Sequence, residues 1–98
     1  MRLTKYEVKV IKNSFDEIFE GGEIYLFGSR VDDAKKGGDI DLFLDLKNNL
    51  NMTQELDKKS RFKIELEDKL GEQKIDVVIS KNKERLIEKE ALKHGIRL

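Results

Sequence analysis

The spacing of apolar residues near the start of the chain predicts an amphipathic helix. Apolar side chains recur there every three or four residues, which is the helical period, at Val8, Ile11, Phe15, Ile18 and Phe19. Thr4 and Glu7 have the spacing of a capping box, and two glycines at 21–22 follow the last apolar residue. The pattern therefore predicts a helix from about Thr4 to Glu20 with one core-facing stripe.

Three later segments have the short apolar runs or two-residue alternation of strands, at residues 24–27, 39–46 and 74–79. Alternation in the second puts its aliphatic residues on one face and its acids on the other. The aliphatic set is Ile40, Leu42, Leu44 and Leu46, and the opposite set is Asp39, Asp41, Phe43 and Asp45. In the third, Ile75, Val77 and Ile79 share the core side and Asp76 lies opposite. These strands predict a sheet with an aliphatic and an acidic face.

Two further helices complete the pattern, at about 53–70 and 83–94. The first carries opposite charges four residues apart, in Glu55 with Lys59, Asp57 with Arg61 and Glu65 with Lys69. Its packing side is assigned to Leu56, Phe62, Leu66 and Leu70. The end of the chain, 96–98, either packs back or adds a short edge strand. The order α-β-β-α-β-α predicts an α/β (α+β) fold with helices on the aliphatic face of a small sheet.

The length and amino-acid composition exclude several classes of protein and several kinds of site. A chain of 98 residues predicts one domain, 1–98, without a deep cleft between two domains. Equal numbers of basic and acidic residues, 20 each, give no electrostatic footprint for long nucleic acid. The absence of cysteine and the single histidine exclude thiol catalysis, disulfides and common structural zinc sites. A charged fraction of 41% without a long apolar run predicts a cytoplasmic protein with no signal peptide or membrane span.

Acids on the second and third strands are the candidate chemistry. Asp39 and Asp41 are two residues apart on one strand face, with Cα atoms roughly 6.5–7 Å apart, so both can bind one divalent cation. Taken singly, Asp39 could be a turn acid after two glycines, and Asp41 could lie on a solvated sheet face. Asp76 adds a third carboxylate, and like charges so close destabilise the fold unless a cation neutralises them. Asp45 has the right parity but lies too far along the strand to share the metal.

A glycine-serine pair ends the first strand and precedes the acidic strand. Gly28 and Ser29 are weak signals alone, but their position one loop before Asp-Ile-Asp indicates phosphate binding. Arg30 follows directly, where its side chain can reach a bound phosphate. Lys35 and Lys36 in the same loop are assigned to solvent.

Taken together, Gly28-Ser29, a nine-residue loop, Asp39-Ile40-Asp41-Leu42 and the later Asp76 resemble the DNA polymerase β-type nucleotidyltransferase superfamily. In size the chain is similar to its minimal nucleotidyltransferases, the antitoxins of two-gene modules whose partner is a HEPN-domain toxin. The resemblance implies a mixed, polymerase β-like sheet. It implies catalytic, metal-binding roles for Asp39, Asp41 and Asp76, with two Mg²⁺ ions and ATP. It also implies a role for Asp76 as general base.

The resemblance implies an enzyme that transfers AMP from ATP to a hydroxyl, expected to be a tyrosine of the HEPN toxin, within a hetero-oligomer. One alternative is a catalytically silent antitoxin that neutralises its partner by occlusion. A pure binding module, however, needs neither the three acids nor the Gly-Ser pair. The other alternative is a nucleotidyltransferase for a small molecule, which lacks the second domain that would enclose the acceptor.

Overall fold

The computed structural model describes residues 3–28, 39–71, 73–81 and 86–98. Its elements in chain order are α1 (Lys5–Phe19), β1 (Gly22–Phe27), β2 (Ile40–Leu46), α2 (Met52–Leu70), β3 (Ile75–Ile79), α3 (Leu86–His94) and β4 (Ile96–Arg97). None of the described helices is long and apolar enough to span a membrane. The predicted order of helices and strands is confirmed, and β4 is the short edge strand left open at 96–98.

The first helix begins at the predicted capping box. Thr4 Oγ1 accepts a hydrogen bond from the Glu7 N–H at 3.0 Å, and Glu7 Oε1 accepts one from the Thr4 N–H at 2.9 Å. The helix ends at Phe19, two residues before the first glycine, because Glu20 adopts a left-handed conformation with φ 60° and its N–H bonds to the Asp16 carbonyl. The glycines at 21 and 22 then carry the chain into β1 at positive φ.

The second helix starts earlier than predicted. Asn51 is its N-cap, and Gln54 completes a capping box that the sequence analysis overlooked. Of the predicted ion pairs, Asp57–Arg61 forms at 3.3 Å and Glu65–Lys69 at 2.8 Å. Glu55 instead pairs with Lys81 beyond β3 at 2.9 Å, so the prediction of Glu55 with Lys59 is wrong.

The strands form one mixed sheet in the order β3-β2-β1-β4. β1 pairs antiparallel with β2 on one side and with β4 on the other, while β2 pairs parallel with β3. A parallel pair needs a crossover connection, which here runs through α2. The mixed sheet confirms the predicted fold class, whereas the sequence pattern alone could not give the strand order.

The core lies between the aliphatic sheet face and α1 with α2. It contains Ile11, Phe15, Phe19, Ile24, Leu26, Ile40, Leu42, Leu44, Phe62, Leu66, Ile75, Val77 and Ile79. Phe62 of α2 meets Phe15 and Phe19 of α1 edge-on, with ring centroids 6.4 and 5.5 Å apart. The helical spacing predicts Leu56 on this packing side, but Leu56 is 62% exposed. That assignment is wrong, because Leu56 lies beside the edge of β3 rather than over the sheet.

Part of the acidic face of the sheet is buried, at Phe43. Phe43 is fully buried although it lies outside the core cluster, and the ring of Tyr25 packs against it at 6.0 Å. Fully buried Glu88 of α3 accepts hydrogen bonds from Ser80 Oγ at 2.7 Å and from the Lys81 N–H at 3.2 Å. These bonds join α3 to the end of β3. Asp41, toward the other end of the acidic face, is half-buried.

We predict that Phe62→Ala lowers stability by about 3–5 kcal/mol, because it opens a cavity between α1 and α2. For a domain of this size that loss lowers the melting temperature by about 12 °C or more. Circular dichroism during thermal unfolding measures it. Ile64→Ala on the same helix is the control, since Ile64 is 66% exposed and its truncation removes little packing. Equal melting temperatures for the two variants would contradict the assignment of Phe62 to the core.

Candidate active site

The parallel ladder between β2 and β3 brings two of the predicted acids together. Asp41 is the register partner of Asp76, and their neighbours Ile40 and Ile75 are paired and buried in the core. Alternation then turns both carboxylates to the opposite face of the sheet. Both acids are half-buried. The predicted convergence of Asp41 and Asp76 is thus present in the sheet itself.

The electrostatics of Asp41 are those of a crowded carboxylate. Its pKa is raised above the ordinary value of 3.8, first by burial and then by the negative charges of Asp76 and Asp39. A hydrogen bond with the Asp76 carboxyl raises the pKa of Asp41 further, while Lys74 lowers it. Asp41 therefore binds a proton more readily than a free aspartate, and a bound cation would relieve the same crowding.

The third predicted acid, Asp39, lies one residue before β2 and is partly exposed. Its Oδ2 is 3.6 Å from Nζ of Lys74. The rival acid Asp45 lies toward the other end of β2, where it is the register partner of Glu23. The expectation that Asp45 lies outside the acidic site agrees with this register.

Gly28 lies beside the acids because β1 is antiparallel to β2. Phe27, the last residue of β1, is the register partner of Asp41, so Gly28 follows at the level of that carboxylate. Gly28 has φ 77°, and a Cβ on it would overlap Asp41 Oδ2. Only glycine permits both this left-handed conformation and the close approach of the backbone to the carboxylate. The other two predicted phosphate-binding residues, Ser29 and Arg30, lie outside the described residues, as do Lys35 and Lys36.

The donor set suits a hard divalent cation. Carboxylate oxygens are the protein ligands that Mg²⁺ prefers, and it commonly keeps waters and substrate phosphates as further ligands. Across the described ranges, no group of three or more His, Cys, Asp or Glu side chains is arranged to hold a metal ion. Asp41 and Asp76 fit the cation through their shared position and mutual repulsion, while Asp39 is engaged with Lys74.

Lys74 is the residue of this site that the sequence analysis overlooked. Its carbonyl accepts the Ile40 N–H at 3.0 Å, which fixes its backbone next to the start of β2. It precedes Asp76 by two residues, so the same alternation that selected Asp76 turns Lys74 toward the acids. That signal was present in the sequence, but the parallel register that sets Lys74 against Asp39 was not.

Comparisons with known proteins give a family and a fold for this chain. The profile of the family described as Polymerase beta, Nucleotidyltransferase matches residues 9–98. A similar fold is found in a crystal structure of the toxin-antitoxin MntA-HpeT mutant D39E D41E, with a TM-score of 0.63 and 22% sequence identity. The likeness covers 93% of this chain and 70% of that one. No curated protein sequence matches the chain.

We predict that Asp41→Asn raises the melting temperature of the metal-free protein at pH 7. Because the folded pKa of Asp41 is raised, the fold favours the protonated carboxyl, and ionisation as pH rises costs stability. Relief of one like-charge cross-strand pair is worth about 0.5 kcal/mol, or roughly 2–4 °C. The gain should shrink as pH falls toward 3.8, where the wild-type carboxyl is itself protonated.

Thermal melts in the presence of a chelator, at pH values from about 7 to about 4, measure how this gain in melting temperature depends on pH. Asp68→Asn on the exposed surface of α2 is the matched control and should change the melting temperature at no pH. A lower melting temperature for Asp41→Asn at pH 7 would mean that this carboxylate stabilises the fold.

Proposed function

The chain belongs to the Polymerase beta, Nucleotidyltransferase family, and from that premise we propose that it is a Mg²⁺-dependent nucleotidyltransferase. In this proposal it transfers AMP from ATP to a tyrosine hydroxyl of a partner HEPN toxin in the cytoplasm, and so acts as an antitoxin. The observation that carries the proposal is the pairing of Asp41 with Asp76 beside the Gly28 turn. Two acids opposed on one sheet face, next to a backbone kept open by glycine, suit a metal-bound phosphate better than a purely structural role.

Asp39, Asp41 and Asp76 would hold Mg²⁺ in the working enzyme. Bound there, the metal would supply charge neutralisation for the attacking and leaving oxygens of phosphoryl transfer, which is commonly done by two ions. The crowding that raises the pKa of Asp41 supports this assignment, because a cation is the natural relief for it.

Asp76 is proposed as the general base. Its carboxylate would accept the proton of the acceptor hydroxyl as that oxygen bonds to the α-phosphorus of ATP and the bond to pyrophosphate breaks. Asp76 belongs to β3, an edge strand, so an acceptor can approach it from the side of the sheet. The Gly28 backbone, the Ser29 hydroxyl and the Arg30 guanidinium are proposed to hold the β- and γ-phosphates.

A protein acceptor is supported by the surface beside β3. A groove of about 370 Å³ runs between α2 and this edge strand, and it is lined in part by Met52, Leu56, Val77 and Val78. Met52 is 71% exposed and its groove neighbour Leu56 is 62% exposed, so this groove offers two adjacent apolar side chains to a partner. A toxin bound along this groove would lie next to the strand that carries Asp76.

The structural neighbour supports the antitoxin role. It is a toxin-antitoxin protein mutated at two aspartates two positions apart, the same spacing as Asp39 and Asp41 here. Tyrosine suits an open site because its phenol is long, and its pKa of about 10 makes proton removal easier than from serine.

A silent binding module is the second candidate. The observation that favours it is the apolar groove between α2 and β3, which a partner could cover without any use of the acids. In that case the chain would neutralise its partner by covering it, and the acids would be dispensable.

We predict that Mg·ATP at a hundred times its Kd raises stability by about 2.7 kcal/mol, because the ligand binds only the folded state. A thermal melt should show an increase of roughly 10 °C or more. ATP with excess chelator should give a much smaller shift, since the carboxylates would then repel the phosphates. An unchanged melting temperature with saturating Mg·ATP would contradict nucleotide binding.

We also predict that co-expression with the HEPN toxin proposed as its partner yields a hetero-oligomer in which a toxin tyrosine carries AMP. Intact-mass spectrometry of the co-purified toxin detects the addition. Asp76→Asn and the Asp39→Asn, Asp41→Asn double variant should keep their circular dichroism spectrum and lose the transfer. A toxin that stays unmodified yet fully neutralised by the double variant would favour the silent binding module.

A further inference from the structure

Lys74 lies at the outer end of the acidic site with its backbone fixed and its side chain free to move. The register that pairs Ile40 with Ile75 and Asp41 with Asp76 sets Lys74 against Asp39. The bond from the Ile40 N–H to the Lys74 carbonyl holds that position. The Lys74 side chain, in contrast, is 71% exposed, so its ammonium group can turn without disturbing the strand.

The ion pair between Lys74 and Asp39 is loose. Its 3.6 Å separation exceeds the length of a charge-assisted hydrogen bond, about 2.7–2.9 Å. Exposed pairs of this kind contribute about 0–1 kcal/mol, so little is lost when the two groups separate. Stability of the fold is therefore a poor reason for a lysine here.

Negative charge accumulates in a nucleotide site formed by carboxylates, and a lysine beside them reduces it. Asp39, Asp41 and Asp76 would meet a ligand that is itself a polyanion, and metal ions must be shared between the two. An ammonium beside the acids neutralises part of this charge before the metal arrives. Once a metal ion binds the Asp39 carboxylate, the Lys74 ammonium loses its ion-pair partner and lies next to the phosphates.

We infer that Lys74 is a further phosphate-binding residue of the site, which pairs with Asp39 in the metal-free protein and with a nucleotide phosphate in the loaded one. This inference rests on the proposed nucleotidyltransferase function. It gives Lys74 two opposite effects. The lysine competes with a bare metal ion for Asp39, and it assists the binding of metal with nucleotide.

The two effects make the test specific. Binding of Mn²⁺ alone is measured by electron paramagnetic resonance, and binding of a hydrolysis-resistant ATP analogue with Mg²⁺ by calorimetry. Lys74→Gln should bind the analogue about tenfold more weakly, the loss expected for one charged hydrogen bond. The same variant should bind Mn²⁺ alone as tightly as wild type or more tightly, and Lys74→Arg should restore analogue binding.

Lys81→Gln is the matched control. Lys81 follows β3 as Lys74 precedes it, and its side chain, which is 52% exposed, also forms an ion pair, with Glu55. It should leave both affinities at the wild-type values. If Lys74→Gln binds the analogue with wild-type affinity, the inference is overturned. A loss of both Mn²⁺ and analogue binding would also overturn it, because Lys74 would then only position the Asp39 carboxylate. Wild-type protein that binds no analogue would overturn the proposed function, and this inference with it.

Discussion

The parallel pairing of β2 with β3 is the constraint on which the rest of the structure depends. It sets Asp41 opposite Asp76 and, one step earlier, Lys74 next to Asp39. A shift of one residue in this register would turn the acids into the core and the aliphatic side chains into solvent. The buried neighbours Ile40 and Ile75 make that shift costly, so the core of the protein also fixes the geometry of the site.

Like-charge repulsion on the acidic face of the sheet opposes folding, and core packing on the aliphatic face favours it. The crowding that raises the pKa of Asp41 favours its protonated form in the fold, while the aromatic contact of Phe62 with Phe15 and Phe19 closes the core on the far side of the sheet. Domains of this size retain only about 5–15 kcal/mol of net stability. A repulsive cluster within so small a margin is easiest to understand where a ligand removes the repulsion.

Much of this arrangement could be predicted from local sequence. Alternation along 39–46 and 74–79 separated the core side chains from the acids, and the Thr4 capping box located the first helix. The family resemblance, read from Gly28-Ser29, Asp39, Asp41 and Asp76, agrees with the family match over 9–98. Local patterns sufficed because each of these features depends on residues close together in the chain.

The errors concern contacts between distant segments. Glu55 pairs with Lys81 across the crossover instead of with Lys59, and Leu56 faces the edge of β3 instead of the core. Phe43 is fully buried although alternation places it on the acidic face, opposite the aliphatic core set. Lys74 joins the site through a strand register that a single sequence does not reveal. In each case the deciding partner lies in another element, so its position depends on the packing of the whole sheet.

In the proposed function, the carboxylates of Asp41 and Asp76 form one site that a metal-bound nucleotide occupies. Carboxyl ¹³C NMR tests it most directly, by following the titration of Asp41 with and without Mg²⁺ and an ATP analogue. We expect the pKa of Asp41 to be raised above 3.8 in the free protein, and to fall when either Asp76→Asn or the Mg²⁺ nucleotide removes the repulsion. An Asp41 that titrates at its ordinary pKa, indifferent to both changes, would contradict this expectation.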